Sequence, residues 1–237
     1  MRSSQHSTQP RPYTRPEVKA LWAALDARWP KLPPDELERW LERWRDGRSP
    51  YARVRSHAIR LQLEAIIALA LRCGLRRHEI RALDEDSMHY DNAYIVVWAD
   101  RVPWHGDSRT VPFTESARDV IREWLDFRAL VQPDHNYPWL NLWSARTVRE
   151  PIRAYTFDRL LRTYLGDGWT LKRLRDTCAV SWVRAGLPLE HLRQILGLKS
   201  LEAVLPYLAL VGGDVERRMQ RLDEAFSEAV RPAQLAV

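Results

Sequence analysis

A chain of 237 residues can bury a sizeable core in one large domain or a domain with appendages, and 45% hydrophobic residues with eleven tryptophans exclude a wholly disordered polypeptide. The longest apolar run, Ala65 to Leu71, falls short of the roughly 18 residues a membrane span needs, and Met1 to Arg15 lacks the basic-then-apolar order of a secretory leader, so a cytoplasmic protein with no membrane partner is expected. The net charge of +6 comes almost wholly from arginine, since the lysines are Lys19, Lys31, Lys172 and Lys199; a rigid, permanently charged fork that grips phosphate points to an anionic partner, nucleic acid first, with a solvated basic surface as the plain alternative.

The first thirteen residues, rich in Ser, Gln, Pro and Arg, predict a disordered basic arm, 1–13. Thr14-Arg15-Pro16-Glu17 then reads as a capping box with proline in the first turn, opening a helix whose Val18, Leu21, Trp22, Leu25 and Trp29 share a face. A second helix carries Leu37, Trp40, Leu41 and Trp44 and stops at Gly47; tryptophans at this spacing read as core rather than as base-stacking platforms. A longer helix from about Val54 to Cys73 turns Ile59, Leu63, Ile66, Ile67 and Ala70 inward and ends at Gly74, a natural left-handed position.

Ala93 to Trp98 and Arg109 to Phe113 are rich in strand formers and predict a small antiparallel sheet, joined by a polar stretch with Pro103, Gly106 and Asp107. Helices follow over Glu115 to Val131, Thr156 to Leu165, Leu171 to Ala185 and Pro188 to Leu196, with a last amphipathic segment at about 214–230 and a flexible tail, 231–237. No repeat and no dividing linker interrupts residues 14–230. The expected fold class is mainly α with a small antiparallel β-sheet. Cys73 and Cys178 match no metal spacing and fall on apolar stripes, so both read as reduced core residues.

Chemistry concentrates in three places. In the helix opened by Thr170, Leu171, Leu174, Cys178 and Trp182 form the inward stripe, which leaves Lys172 and Arg175 as neighbours near the helix N-terminus, where one anion could meet both. Surface charges flanking a core helix are the alternative. Arg76 follows Gly74-Leu75 and precedes Glu79 by three residues, which fits a phosphate clamp or an ordinary ion pair. Tyr207 lies downstream of both; a phenol with a reference pKa of about 10 attacks well only where cations stabilise the phenolate. Pro206 before it disfavours helix at Leu205 and suggests a mobile segment feeding the tyrosine.

Taken in order, these boxes resemble the catalytic domain of tyrosine recombinases, also called phage integrases, of the Xer and lambda-integrase kind. Gly74-Leu75-Arg76 with Glu79 matches the family's first arginine box, Arg109-Thr110-Val111-Pro112 its hairpin closure, and Lys172-Arg173-Leu174-Arg175 its His-x-x-Arg box followed by Thr177-Cys178-Ala179. Leu196-Gly197-Leu198 falls on its Leu-Gly-His box, with Tyr207 nine residues later at the position of the nucleophile. The resemblance implies the tyrosine recombinase catalytic-domain (DNA breaking-rejoining) fold. It also implies that Arg76 and Arg175 clamp a scissile DNA phosphate while Tyr207 forms a 3′-phosphotyrosyl intermediate and releases a 5′-hydroxyl, without metal, nucleotide or other cofactor. Glu79 and Arg109 would support the site or contact DNA.

Three departures bear on catalysis. The family's hairpin lysine, which protonates the leaving 5′-oxygen, has no counterpart, because no lysine lies between Lys31 and Lys172; Arg101 has its position and His105 the better chemistry for a proton donor. Lys172 replaces the first histidine of His-x-x-Arg and could itself be the donor or a phosphate ligand. Leu198 replaces a hydrogen-bonding residue of the third box, with Lys199 adjacent as a compensating cation. The resemblance further implies double-stranded DNA, a homotetramer on DNA, accessory DNA-bending proteins and a terminal helix docked into a neighbouring subunit, and the N-terminal core-binding domain of the family is absent from the pattern. Three readings follow: a site-specific recombinase or integrase of a mobile element or chromosome, a catalytically impaired DNA-binding accessory protein, or a type IB topoisomerase-like nicking-closing enzyme.

Overall fold

The computed structural model describes residues 9–29, 31–45, 51–89, 92–101, 108–131, 135–142, 152 and 156–212. In chain order the helices are α1 (Arg15–Arg28), α2 (Pro34–Arg45), α3 (Tyr51–Leu71), α4 (Arg77–Ala82), α5 (Glu115–Val131), α6 (Thr156–Leu165), α7 (Leu171–Arg184), α8 (Leu189–Leu196) and α9 (Leu205–Ala209). The strands β1 (Met88–His89), β2 (Tyr94–Val97) and β3 (Arg109–Pro112) lie between α4 and α5. Thr14 caps α1 with the expected box: Glu17 N–H donates to its Oγ1 at 3.4 Å, and the Glu17 carboxylate accepts from Thr14 N–H at 2.6 Å.

The centre of the molecule is α3, buried continuously from His57 to Ala70 and packed on α5 and α7. A helix enclosed on every side must satisfy its polar groups internally. Arg60 and Glu64, one turn apart, pair at 3.0 Å, while Gln62 donates to Leu140 O at 3.2 Å and accepts from Leu140 N–H at 2.7 Å, which ties residues 135–142 to the core. Gly74, just past α3, has φ +66°, and a Cβ there would lie 2.8 Å from the Leu196 side chain. Glycine is therefore required twice over, by conformation and by the close approach of α8.

The sheet is antiparallel in the order β1-β2-β3, with Ile95 opposite both Met88 and Val111. Its inward residues Met88, Ile95, Val97 and Val111 are buried. The strand β1 was not anticipated, since its two residues are too few to show alternation. A second, smaller core beyond the main one joins Ala179, Val180 and Val183 of α7 to Leu192, Leu196, Val204, Tyr207 and Val211. Thus α7 spans both cores, and the junction between them lies at Arg175 and Asp176. Cys73 and Cys178 are buried free thiols; burial pushes Cys73 up to about 12 and Cys178 upward as well, as expected of core residues.

Two expectations need correction. The predicted disordered arm does not extend to Tyr13: Tyr13 N–H donates to Thr177 Oγ1 at 2.7 Å, and its hydroxyl donates to Gly168 O at 2.7 Å and accepts from Thr170 N–H at 3.0 Å. Its ring also lies 3.8 Å below the Arg173 guanidinium and 4.5 Å from Trp169. One aromatic residue with its ring and its hydroxyl both occupied offsets the entropy of ordering its short neighbours, which composition does not register. Residues 1–8 lie outside the described residues. The second correction concerns Leu205, which opens α9 despite preceding Pro206. Turns at Leu201 to Val204 already feed the helix, and a proline in the first turn gives up an N–H that has no helical partner there. Gly47, the 214–230 segment and the 231–237 tail lie outside the described residues.

Candidate active site

The site is assembled from the exits of α3 and α8, the start of α4, β3 and the first turns of α7. Glu79, in the first turn of α4, is fully buried and accepts from Arg76 N–H at 2.7 Å and from Arg76 Nη1 at 2.9 Å. Arg109 reaches the same carboxylate from β3 with Nη2 at 2.8 Å, a charge contact without hydrogen-bond alignment, and Arg175 approaches from α7 at 3.7 Å. Burial alone would push the Glu79 carboxyl up, but the three guanidinium groups outweigh it and hold it at about 2.

A second anchor comes from the C-terminus of α8, whose last carbonyls have no helical N–H to accept from. The final two and that of the cap residue take one arginine apiece: Ile195 O accepts from Arg109 Nε at 2.9 Å, Leu196 O from Arg175 Nη2 at 2.7 Å, and Gly197 O from Arg76 Nη2 at 3.0 Å. The partial negative charge of a helix C-terminus favours cations at this place. Gly197 turns with φ +58°, and a Cβ on it would lie 2.9 Å from the Arg109 guanidinium. Leu198 N–H returns to Arg193 O at 2.9 Å, closing a Schellman turn, and the Leu198 side chain packs on the smaller core. At this position leucine serves packing.

Arg175 is 6% exposed and donates further to Gly74 O at 2.5 Å. Burial and the neighbouring Arg76 lower it to about 10, against the pull of Glu79 and Tyr207, so it stays charged near neutrality. The side chains are 21% exposed for Arg76, 11% for Arg109 and 7% for Arg175, so an arriving anion meets Arg76 first. Arg76 and Arg175 each spend two N–H groups on protein acceptors out of the five a guanidinium carries, which leaves donors for a ligand.

Tyr207, on α9, is 9% exposed, and its hydroxyl donates to Asp176 Oδ1 at 3.2 Å. Burial first, then the Asp176 charge, push the phenol up to about 12, while Arg175 and Arg76 are close enough to pull it down in part. The other Asp176 oxygen accepts from Lys172 Nζ at 3.1 Å and from Arg11 N–H at 3.2 Å. Asp176 was missed in the sequence, although Lys172 and Asp176 stand four apart on a helix and so announce an ion pair.

The structure therefore brings Arg76, Glu79, Arg109, Arg175, Tyr207 and Lys172 into one cluster. It does not bring Arg101 there: that guanidinium pairs with Asp84 and lies 5.5 Å from the Trp98 ring centroid, lining a separate cleft with Arg81, Tyr137 and Trp139. Arg101 ends a short 3-10 turn and has its own acidic partner there. His105 lies outside the described residues. Lys199 is exposed just beyond the Gly197 turn. Among the described residues no group of three or more His, Cys, Asp or Glu could hold a metal ion, and no helix is long and apolar enough to cross a membrane.

The pattern of the phage integrase family matches residues 32–211, a range that includes every member of the cluster and most of the chain. The chain belongs to the phage integrase family. Among relatives, the tyrosine recombinase XerC of Corynebacterium glutamicum is 28% identical over 170 residues, covering 71% of this chain and 51% of that protein. XerC of Chlamydia muridarum is 30% identical over 145 residues, 60% of this chain and 44% of that protein. The crystal structure of XerA recombinase superposes with a TM-score of 0.53 at 25% identity, covering 79% of this chain and 63% of that one. This phage integrase family chain spans about half the length of the curated relatives it matches. Its helices and three-stranded antiparallel sheet form the tyrosine recombinase catalytic-domain fold.

Proposed function

We propose that this chain is the catalytic domain of a site-specific DNA recombinase that cleaves and rejoins duplex DNA through a covalent tyrosine ester. The observation that carries the reading is the convergence of Arg76 and Arg175, both with spare N–H donors, close enough to the buried Tyr207 hydroxyl to act on its charge. Arg76 and Arg175 hold the non-bridging oxygens of one phosphate and stabilise the charge that grows on them in the transition state. Glu79 and Arg109 do not touch the phosphate; they set the positions of the two arginines. The Tyr207 oxygen bonds to phosphorus, the bond from phosphorus to the 5′-oxygen breaks, and the resulting 3′-phosphotyrosine conserves the ester for a second strand.

Lys172 is the favoured proton donor to the leaving 5′-oxygen. It is largely exposed, and it shares Asp176 with Tyr207, whereas Arg101 is committed to Asp84. The test is a duplex bearing a site selected by the protein from a random pool, with a nick placed so that cleavage releases a short fragment. Wild-type protein should accumulate a covalent protein–DNA adduct ending in 3′-phosphotyrosine, and Tyr207→Phe should form none. An adduct at another residue, or binding without any adduct in the wild type, would refute the reading.

A further inference from the structure

Asp176 is a second buried carboxylate of the site, beside Glu79, among the described residues. It is 2% exposed, lies on α7 directly after the clamp residue Arg175, and bonds to the reacting oxygen itself. Its two oxygens divide the work by direction: Oδ1 faces the Tyr207 hydroxyl at 3.2 Å, and Oδ2 faces Lys172 Nζ at 3.1 Å and Arg11 N–H at 3.2 Å. A carboxylate so placed has one side filled by donors that fix its orientation and the other side directed at a single proton, the phenolic one. We propose that Asp176 is the general base that removes the Tyr207 proton, an assignment that rests on the recombinase reading above.

The step balances without an added co-reactant. As the Tyr207 oxygen bonds to phosphorus, its O–H electron pair is released to that oxygen and the proton moves to Asp176 Oδ1. The bond from phosphorus to the 5′-oxygen breaks with its electron pair on oxygen, and the Lys172 ammonium gives that oxygen a proton. Asp176, now neutral, returns a proton to the Lys172 amine, so the net transfer is from phenol to leaving group. Rejoining runs the same path backwards. Base assistance is needed here because a phenol held at about 12 offers almost no phenolate near neutrality, and transfer to a weak base such as a carboxylate becomes downhill once the oxygen is committed to phosphorus.

The competing role for Asp176 is to position Lys172, and the leaving group separates the two. With a 5′-bridging sulfur in place of oxygen, the departing thiolate needs no proton, so any defect that acts through the acid is repaired and any defect that acts through the base persists. Single-turnover adduct formation on the nicked site is measured for wild type, Asp176→Asn and Tyr207→Phe with oxygen-bridged and sulfur-bridged substrates, and DNA binding is followed by anisotropy. Asp176→Asn should bind DNA normally and form adduct 10²- to 10⁴-fold more slowly on both substrates, the range expected for a lost general base. Adduct formation by Asp176→Asn within a few-fold of wild type, or faster, overturns the proposal, as does full repair by the sulfur substrate.

If Asp176→Asn does not fold, Asp176→Glu and Asp176→Gln are compared, since they match in size and differ in basicity. The glutamate should be at least tenfold faster, and equal rates overturn the assignment. Wild type without adduct on either substrate would instead defeat the recombinase reading itself, and Asp176 with it.

Discussion

Glu79 sets the electrostatic balance of the site, and its titration gives a signed expectation. Its folded pKa of about 2 lies below the ordinary 4.5, so the stability it contributes is complete above about pH 4.5 and is lost as the pH falls through about 2. Glu79→Gln leaves three guanidinium groups facing one another without their shared anion. Urea unfolding at pH 7 should show a loss of about 3 kcal/mol, the usual cost of stripping one partner from a buried ion pair, and the acid limb between pH 4.5 and 2 should flatten. Lys172 is the opposite case, an exposed ammonium on a buried partner. Lys172→Ala should slow adduct formation by about 10²- to 10⁴-fold while leaving the fold intact, and the sulfur-bridged substrate should restore its rate. Sequence spacing identified Arg76, Arg175 and Tyr207 as a set, because each sits in a short box of recognisable order. It could not show that Arg101 turns to Asp84, since which acid a surface arginine finds is decided by tertiary packing.

At the scale of elements, the end of α8 explains why a box with no hydrogen-bonding side chain can still belong to the site. What the Leu196-Gly197-Leu198 segment supplies is main-chain oxygen, aimed by the left-handed Gly197 at Arg76 and, one and two residues earlier, at Arg175 and Arg109. Gly197→Ala places a methyl 2.9 Å from the Arg109 guanidinium on a backbone with φ +58°. The expected result is a loss of about 1–3 kcal/mol in thermal or urea unfolding, with DNA cleavage impaired more than DNA binding. The helices α5 and α6 were legible residue for residue because their apolar periodicity runs unbroken. The strand β1 and the helix α9 were not, since each is too short to carry a period and exists because its neighbours hold it.

On the scale of the whole molecule, the two cores meet at α7, and the Pro10 to Tyr13 segment bonds to α7 at that junction through Asp176 and Thr177. Composition placed this stretch in a disordered arm; a polar, proline-containing run gives no periodic signal even when a single tyrosine fixes it. Tyr13→Phe removes a hydroxyl that bridges Gly168 O and Thr170 N–H at the start of α7, so unfolding should show a loss of about 1 kcal/mol. Arg11 reaches Asp176 through its amide, not its guanidinium. Trimming its side chain to alanine should therefore pass unnoticed, while Arg11→Pro, which deletes that amide hydrogen, should lower unfolding stability by about 1–2 kcal/mol and change the rate of adduct formation. The hold on the incoming polypeptide thus ends, through one main-chain N–H, on the same carboxylate that accepts from the Tyr207 hydroxyl.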